Sequence, residues 1–348
     1  MSQPEASFSE LLAAAELDSL IRRLPKAELH VHLEGTLEPE MLIAKARKHG
    51  IQLPYADEAA VRAAYRFTNL QSFLDLYYAA TAVLRDQDDF YDLTWAYLQR
   101  AKADGVVHVE AFIDPQAHTT RGVALEAVMT GVLDALNDGH AELGISYRLI
   151  PNVLRHLSQE AGEAMLEALE PWYTAIHGFG LDSSELEHPP SKFKHLFARV
   201  RALGFPVVAH AGEEGPPEYI VEALDALGAV RIDHGIRAIE DPALTSRLAR
   251  AQIPLTVCPL SNVRLCVVPD LAAHPLRRLF EAGCLVTINS DDPAYFGGYV
   301  AANYRAVAEA LGFTREELKR LAAMSIRASW LNDAVKARHL AAIDAMGA

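Results

Sequence analysis

Cysteine is scarce in this chain of 348 residues. There are three, Cys258, Cys266 and Cys284, and no two are spaced Cys-x-x-Cys. An odd, unpaired set excludes a disulfide framework and fits plain core residues in a reducing compartment. Basic charge is also in deficit: 32 Lys and Arg stand against 46 Asp and Glu, a formal net charge of −14. That balance argues against a nucleic-acid backbone and against an anionic membrane surface, since both recruit basic faces. No apolar run reaches the roughly 18 to 20 residues that span a bilayer. The N-terminus shows no basic start and no apolar h-region, and Glu16 and Asp18 break its first apolar stretch. No secretory signal is expected, and the chain is expected in the cytoplasm.

Hydrophobic residues make up 51% of the chain, enough to bury a large core. At about 150 residues per domain the length suggests two, but α/β barrels exceed it as one. No low-complexity linker or charge block divides the sequence, so residues 1–348 are expected to form one domain. Met1 to Ser7 looks disordered, and Leu11–Leu24 has helical spacing, so residues 1–24 read as a tail and a helix. Short apolar runs then recur: Glu28–Leu33, Val106–Ile113, Ile145–Pro151, Gly178–Leu181, Pro206–Ala211, Val230–His234, Pro254–Cys258 and Cys284–Asn289. Helical stretches such as Leu125–Leu143 and Ala238–Ala251 separate most of them. Eight βα units predict an α/β fold, a (β/α)8 barrel of the TIM type. Residues 37–104 are too long for one crossover. They predict a helical insertion after the first strand, with helices at Pro39–His49, Glu58–Tyr65, Leu70–Leu84 and Asp88–Ala103.

Reactive residues of such a barrel gather at the C-terminal ends of the strands. Those ends carry His30 and His32, Glu110 and Asp114, Asp182 and Ser183, His210, Glu213 and Glu214, Asp233 and His234, and Asp291 and Asp292. In His30-Val31-His32, alternation with period 2 turns both imidazoles to one face. One His-x-His is often chance; adding His210 and Asp291 from other strand ends makes a metal set. Three imidazoles and a carboxylate suit one Zn²⁺, with Fe²⁺ or Mn²⁺ as alternatives. Such an ion would bring the pKa of water from 15.7 to about 7. A proton carrier is still needed, and Glu213, His234 and Asp292 are the candidates. Other features read as bland. His49, His140 and His339 read as surface; Tyr77, Tyr78 and Trp95 as core or pocket wall; Gly297-Gly298 as a turn. Phe67 and Phe73 could line a lid on the insertion.

Four motifs then stand together: Pro25-Lys26-Ala27-Glu28-Leu29-His30-Val31-His32-Leu33-Glu34-Gly35, His210-Ala211-Gly212-Glu213, Asp233-His234-Gly235 and Ser290-Asp291-Asp292-Pro293. In order and spacing, from residue 25 to about 334, they resemble the adenosine/adenine deaminase family of metal-dependent amidohydrolases. Leu181-Asp182-Ser183-Ser184-Glu185, His188-Pro189-Pro190-Ser191-Lys192-Phe193, Glu213-Glu214-Gly215-Pro216-Pro217, Cys258-Pro259-Leu260-Ser261-Asn262 and Ala294-Tyr295-Phe296-Gly297-Gly298 look closest to its adenine deaminase branch.

The resemblance implies one zinc on His30, His32, His210 and Asp291. It implies that Glu213 gives a proton to purine N1 as C6 is attacked, that His234 orients or deprotonates the water, and that Asp292 bonds N7. The implied reaction is hydrolytic deamination of adenine to hypoxanthine and ammonia, in purine salvage. Adenosine deaminases usually carry Asp where Glu34 stands and Ala-Gly where Asp182-Ser183 stand. Glu34, Asp182 and Ser183 are therefore expected at the substrate and against a ribose. No lysine marks the fourth strand end, which favours one metal over two. The His-x-Glu and Pro-Cys-x-x-Cys pattern of nucleic-acid deaminases is absent. The expected partner is a small purine, with no nucleic acid and no membrane. Competing readings are adenosine deaminase, a deaminase of N6-substituted adenines, and a purine- or metal-binding barrel without activity. The complete set of ligands, acid and histidine weighs against the last.

Overall fold

The computed structural model describes residues 8–347; the expectation for residues 1–7 falls outside them. Eight strands run along the described chain: β1 (Lys26–His32), β2 (Val106–Ile113), β3 (Ser146–Leu154), β4 (Gly180–Asp182), β5 (Val208–Ala211), β6 (Arg231–His234), β7 (Leu255–Val257) and β8 (Val286–Ile288). Each overlaps one of the eight apolar runs, with β1 starting two residues before its run. β3 continues past Pro151, which stays in register opposite Ile113. A proline removes one donor from a strand but leaves its carbonyl free to pair.

All pairings are parallel, in the orders β1-β2-β3-β4 and β5-β6-β7-β8. Bridges Phe179–Val207 and Val31–Asp291 join the two halves and close the barrel. The second seam is a pair of backbone bonds, His32 N–H to Asp291 O at 3.0 Å and Asp291 N–H to His30 O at 3.1 Å. It ties residues of the first strand to the loop after the last.

Between β1 and β2 lie helices Pro39–Lys48, Glu58–Ala64, Leu70–Ala80 and Gln87–Ala103, as the long gap requires. Asn69 caps the third in a capping box with Ser72. Asp86 and Asp89 form the same device on the fourth. The buried Asp89 carboxylate also binds Lys45 at 3.0 Å, Lys48 at 2.9 Å and His49 at 2.6 Å. His49 is thus a half-buried tether between two helices, not the free surface residue expected. His140 is exposed, and His339 is half-buried. The N-terminal helix spans Phe8–Arg23. Among the described residues no helix is long and apolar enough to cross a membrane.

The large apolar core fills the shell between strands and helices; Ala27, Leu29 and Val31 of β1 belong to it. A small separate cluster, Phe112, Ile150 and Val208, comes from β2, β3 and β5, with Trp330 packed against it. Two residues earlier on β2 sits Glu110, and it pairs with Arg231 of β6. Two residues later on β5 comes His210. With period 2, the lumen is layered: an ion pair at the bottom, an apolar plug, then the chemistry at the C-terminal mouth.

Candidate active site

His30 and His32 leave β1 on the lumen side, and Phe112 of the plug underlies both rings at centroid distances of 5.1 Å. β5 brings His210, and the loop after β8 brings Asp291. One ligand atom from each of the four lies within 4.8 Å of the others. His30 Nε2 is 3.1 Å from Asp291 Oδ1, and His32 Nε2 is 3.2 Å from His210 Nε2. Behind the rings stands a second row. His30 Nδ1 lies 2.9 Å from Thr256 Oγ1, whose hydroxyl donates to Asp233 at 2.8 Å. His30 therefore carries its hydrogen on Nδ1, and Nε2 is a bare lone pair facing a carboxylate oxygen. Two acceptors 3.1 Å apart repel each other unless a cation lies between them. Asp233 is also 3.7 Å from His210 Nδ1, and Asp182 is 3.6 Å from His32 Nδ1.

Burial pushes the His32 imidazole down to about 3 and His210 well below its usual range, so both are neutral donors. Burial would raise the Asp291 carboxyl, but the imidazoles of His30 and His234 outweigh it and hold it well below the carboxylate range. Neutral nitrogens and an ionised oxygen are the states in which these groups ligate a metal. The residues fit a single divalent ion.

Beside this set stands Glu213, with Oε2 3.5 Å from His234 Nε2. Burial raises its carboxyl well above the ordinary range, and the charges of Asp291, Glu185 and Glu214 add to the effect. That shift favours the protonated carboxyl, the form that can give up a proton. Its loop is held by Glu185, whose buried carboxylate accepts the N–H groups of Gly212 (2.6 Å), Glu213 (3.1 Å), Glu214 (2.8 Å) and Gly215 (2.7 Å). A Cβ at Gly215 would lie 2.5 Å from Glu185 Oε1, so any side chain there would push this carboxylate off the loop. Asp292 comes equally close to Gly35, where a Cβ would be 2.6 Å from the Asp292 Cα. Burial, then the charges of Asp291 and Asp114, raise the Asp292 carboxyl well above its usual range.

These groups line a pocket at the C-terminal mouth of the barrel. His32, His210, Glu213, His234, Asp291 and Asp292 form its floor. Leu70, Phe73, Leu74, Tyr77 and Tyr78, all on the Leu70–Ala80 helix or its start, form the roof. Phe73 and the two tyrosines are thus pocket wall; Phe67 lies behind, its ring 5.3 Å from that of Phe73. Asp114, Asp182 and Ser183 close the side. Asn152 donates to Asp182 Oδ2 at 2.9 Å, while Oδ1 is buried with no partner among the described residues. Ser183 takes a hydrogen bond from the Tyr78 hydroxyl at 2.9 Å and lies 2.8 Å from His156 Nδ1. Ser183, His234 and Asp291 have positive φ, at 76°, 62° and 64°.

Glu34 stands elsewhere. It is fully buried and outside the cavity lining, accepting Asp114 N–H at 3.0 Å and His118 Nε2–H at 2.7 Å. Strand alternation ends at His32, and Glu34 opens a short 3₁₀ turn, Glu34–Thr36, that carries its side chain behind the wall. Asp114 is at the cavity instead. Its place at the end of β2 was the only sequence signal for it. Glu185, two residues beyond Ser183, and Asn262, 3.5 Å from Glu213 Oε1, were legible only as parts of motifs.

A closed eight-stranded barrel with a three-histidine, one-aspartate set at its mouth and a buried acid beside it defines a metal-dependent hydrolase. The adenosine deaminase family profile matches residues 25–346, and the chain belongs to that family. It is 58% identical over 330 residues to an adenine deaminase of Sphingopyxis alaskensis, covering 95% of this chain and 97% of that one. It is 52% identical to an adenine deaminase of Caulobacter vibrioides over 99% of both chains. The crystal structure of an adenine deaminase from Arthrobacter aurescens superposes with a TM-score of 0.91. Identity there is 52%, covering 92% of this chain and 98% of the other. A zinc-bound amidohydrolase from Burkholderia ambifaria gives 0.87 at 28% identity, over 99% and 94% of the two chains. Within the family the chain groups with the adenine deaminases.

Proposed function

We propose that this chain hydrolyses adenine to hypoxanthine and ammonia, with one zinc ion held by His30, His32, His210 and Asp291. The carrying observation is the buried carboxyl of Glu213, its affinity for a proton raised by burial, in the same pocket as His32, His210 and Asp291 of that ligand set. Relatives 52–58% identical along most of their length are adenine deaminases, which supports the reading. When bound, zinc supplies a water that ionises near neutral pH, ready to attack an electrophilic carbon.

The protein's own groups do the rest. Glu213 delivers its proton to N1, which makes C6 electrophilic at the moment of attack. His234, neutral because burial pushes its imidazole down to about 3, lies between Glu213 and Asp291 and orients the attacking oxygen. Asp292, whose carboxyl burial and the Asp291 charge bias toward the protonated form, hydrogen-bonds N7. C6 gains oxygen, the bond from C6 to the exocyclic nitrogen breaks, and ammonia leaves with the protons the site has moved. Asp182, whose Oδ1 has no partner among the described residues, offers an oxygen to N9–H, a hydrogen that a nucleoside lacks. A ribose on N9 would also meet Ser183 and Tyr78. Exclusion of the sugar therefore rests on these three residues, and Glu34 acts behind them through Asp114. Turnover of adenine, adenosine and N6-substituted adenines followed by ultraviolet absorbance tests this. Adenosine should show at least about a hundredfold lower kcat/KM than adenine. Equal rates would sink the reading.

A further inference from the structure

Behind Glu213 and His234 runs a line of hydrogen bonds whose direction is set at its far end. The backbone N–H of Leu276 lies 3.0 Å from Nδ1 of His274. A backbone N–H can only donate, so that nitrogen accepts and the neutral ring carries its hydrogen on Nε2. Nε2 in turn lies 3.1 Å from Oδ1 of Asn262. The ring donates, the amide oxygen accepts, and the amide is left with one orientation. Its NH2 group faces two atoms, Nδ1 of His234 at 3.3 Å and Oε1 of Glu213 at 3.5 Å. It has two hydrogens and both neighbours can accept. His274, Asn262, His234 and Glu213 are all buried, so no bulk water competes for these bonds.

We infer that Asn262, oriented by His274, is a positioning residue for both groups: it holds the His234 hydrogen on Nε2 and leaves Oε2 of Glu213 to carry the acid proton. Nε2 of His234 faces the cavity, 3.8 Å from Asp291 Oδ2 and 3.5 Å from Glu213 Oε2. With its hydrogen there, His234 donates to the attacking oxygen. The opposite tautomer would turn a lone pair toward the Asp291 carboxylate and leave the Asn262 hydrogen pointing at an N–H. The sequence places Asn262 on the short helix Pro259–Arg264 and His274 on the loop before Leu276–Glu281. Neither touches the cavity. Both act through another side chain.

This inference rests on the roles proposed for Glu213 and His234, but its test needs no substrate. Nitrogen-15 NMR of the zinc-loaded full chain reads the His234 tautomer directly, with its signals assigned by their loss in His234→Gln. The wild-type protein should show hydrogen on Nε2. Asn262→Asp keeps the shape but replaces the donor by an acceptor, and should move that hydrogen to Nδ1. His274→Leu removes the anchor and should give a mixture of the two forms. His274→Gln, which can donate again to Asn262, should restore the Nε2 form. In the same variants kcat for adenine should fall about 10²-fold for Asn262→Asp, with KM nearly unchanged. An Nε2–H tautomer that persists in Asn262→Asp overturns the inference. If that variant does not fold, persistence in His274→Leu overturns it equally. A shifted tautomer with no adenine turnover in the wild type would instead keep the relay and sink the substrate assignment.

Discussion

At the bottom of the lumen, Glu110 is matched by Arg231, by His108 Nε2 at 3.1 Å and by the backbone N–H of Trp330. Trp330 also covers the guanidinium, 4.8 Å from ring to carbon. At the mouth, Asp114, Asp182, Glu213 and Asp292 gather with no arginine or lysine in the cavity lining. Both regions are buried, yet the carboxyls behave oppositely. Burial works against Glu110, but the Arg231 charge and the His108 hydrogen bond hold it down at about 2. Burial and then Glu34 lift Asp114 to about 7, and burial with Asp114 lifts Asp182 well above its usual range. A buried charge matched within the chain is architecture. A buried acidic cluster left unmatched by basic side chains marks a candidate site for a ligand from outside.

The contrast can be broken most severely at the cation. Asp291→Ala, or chelation of the wild type, should remove bound metal and abolish deamination. Elemental analysis and turnover together check this, and a metal-free chain at full activity would refute it. Next comes Glu213→Gln, which keeps the size and loses the proton. It should lower kcat by about 10² to 10⁴-fold at normal metal content. Retention of most activity would show the acid to be another group. At the bottom the same kind of lesion should register as stability. Arg231→Met strands Glu110 and should cost about 3–5 kcal/mol in urea unfolding while metal stays bound. No change in the midpoint would mean the pair is not what holds that layer.

The smallest effect sharpens the comparison through pH. Glu110 has a depressed folded pKa, so its contribution is full above about 4.5 and is lost as pH falls through about 2. Asp114 has a raised one, so its contribution is full below about 3.8 and is lost as pH climbs through about 7. In metal-free protein, slopes on the order of 1 kcal/mol per pH unit and of opposite sign should appear in the two windows. Glu110→Gln should flatten only the acid one, and Asp114→Asn only the upper one. Denaturant titrations across pH decide it, and a single slope common to both variants would dissolve the distinction.

Much of this was legible from residues alone, because barrels put chemistry where short apolar runs end. His30, His32, His210 and Asp291 could be gathered without coordinates, and so could Glu213 and His234. What escaped shares one property: it depends on contacts between residues remote in sequence. Asp114 faces Asp182 across 68 positions, and Glu185 reaches the Glu213 loop across 28. His274 and Asn262 are only 12 apart, but the direction of their bond comes from a backbone N–H that no pattern encodes. Glu34 misled for a local reason. Two-residue alternation carries prediction to the last strand position and fails at the first turn beyond it.

That same failure of alternation is put to use at two other strand ends. A strand sends consecutive side chains to opposite faces, yet Asp291 and Asp292 both reach the cavity, as do Asp182 and Ser183. The left-handed residues make this possible: among six non-glycine residues of positive φ in the described chain, Ser183, His234 and Asp291 are three. Ser183 and Asp291 swivel the backbone at the rim so that each shares the cavity with its neighbour. Non-glycine residues held there cost on the order of 1–3 kcal/mol each. Glycine at those positions would relax the chain, but it would delete a hydroxyl, an imidazole or a carboxylate. Searches for hardier variants should therefore find no neutral route through this rim, and their gains should collect on the outer helices, where backbone comfort and chemistry are not in conflict.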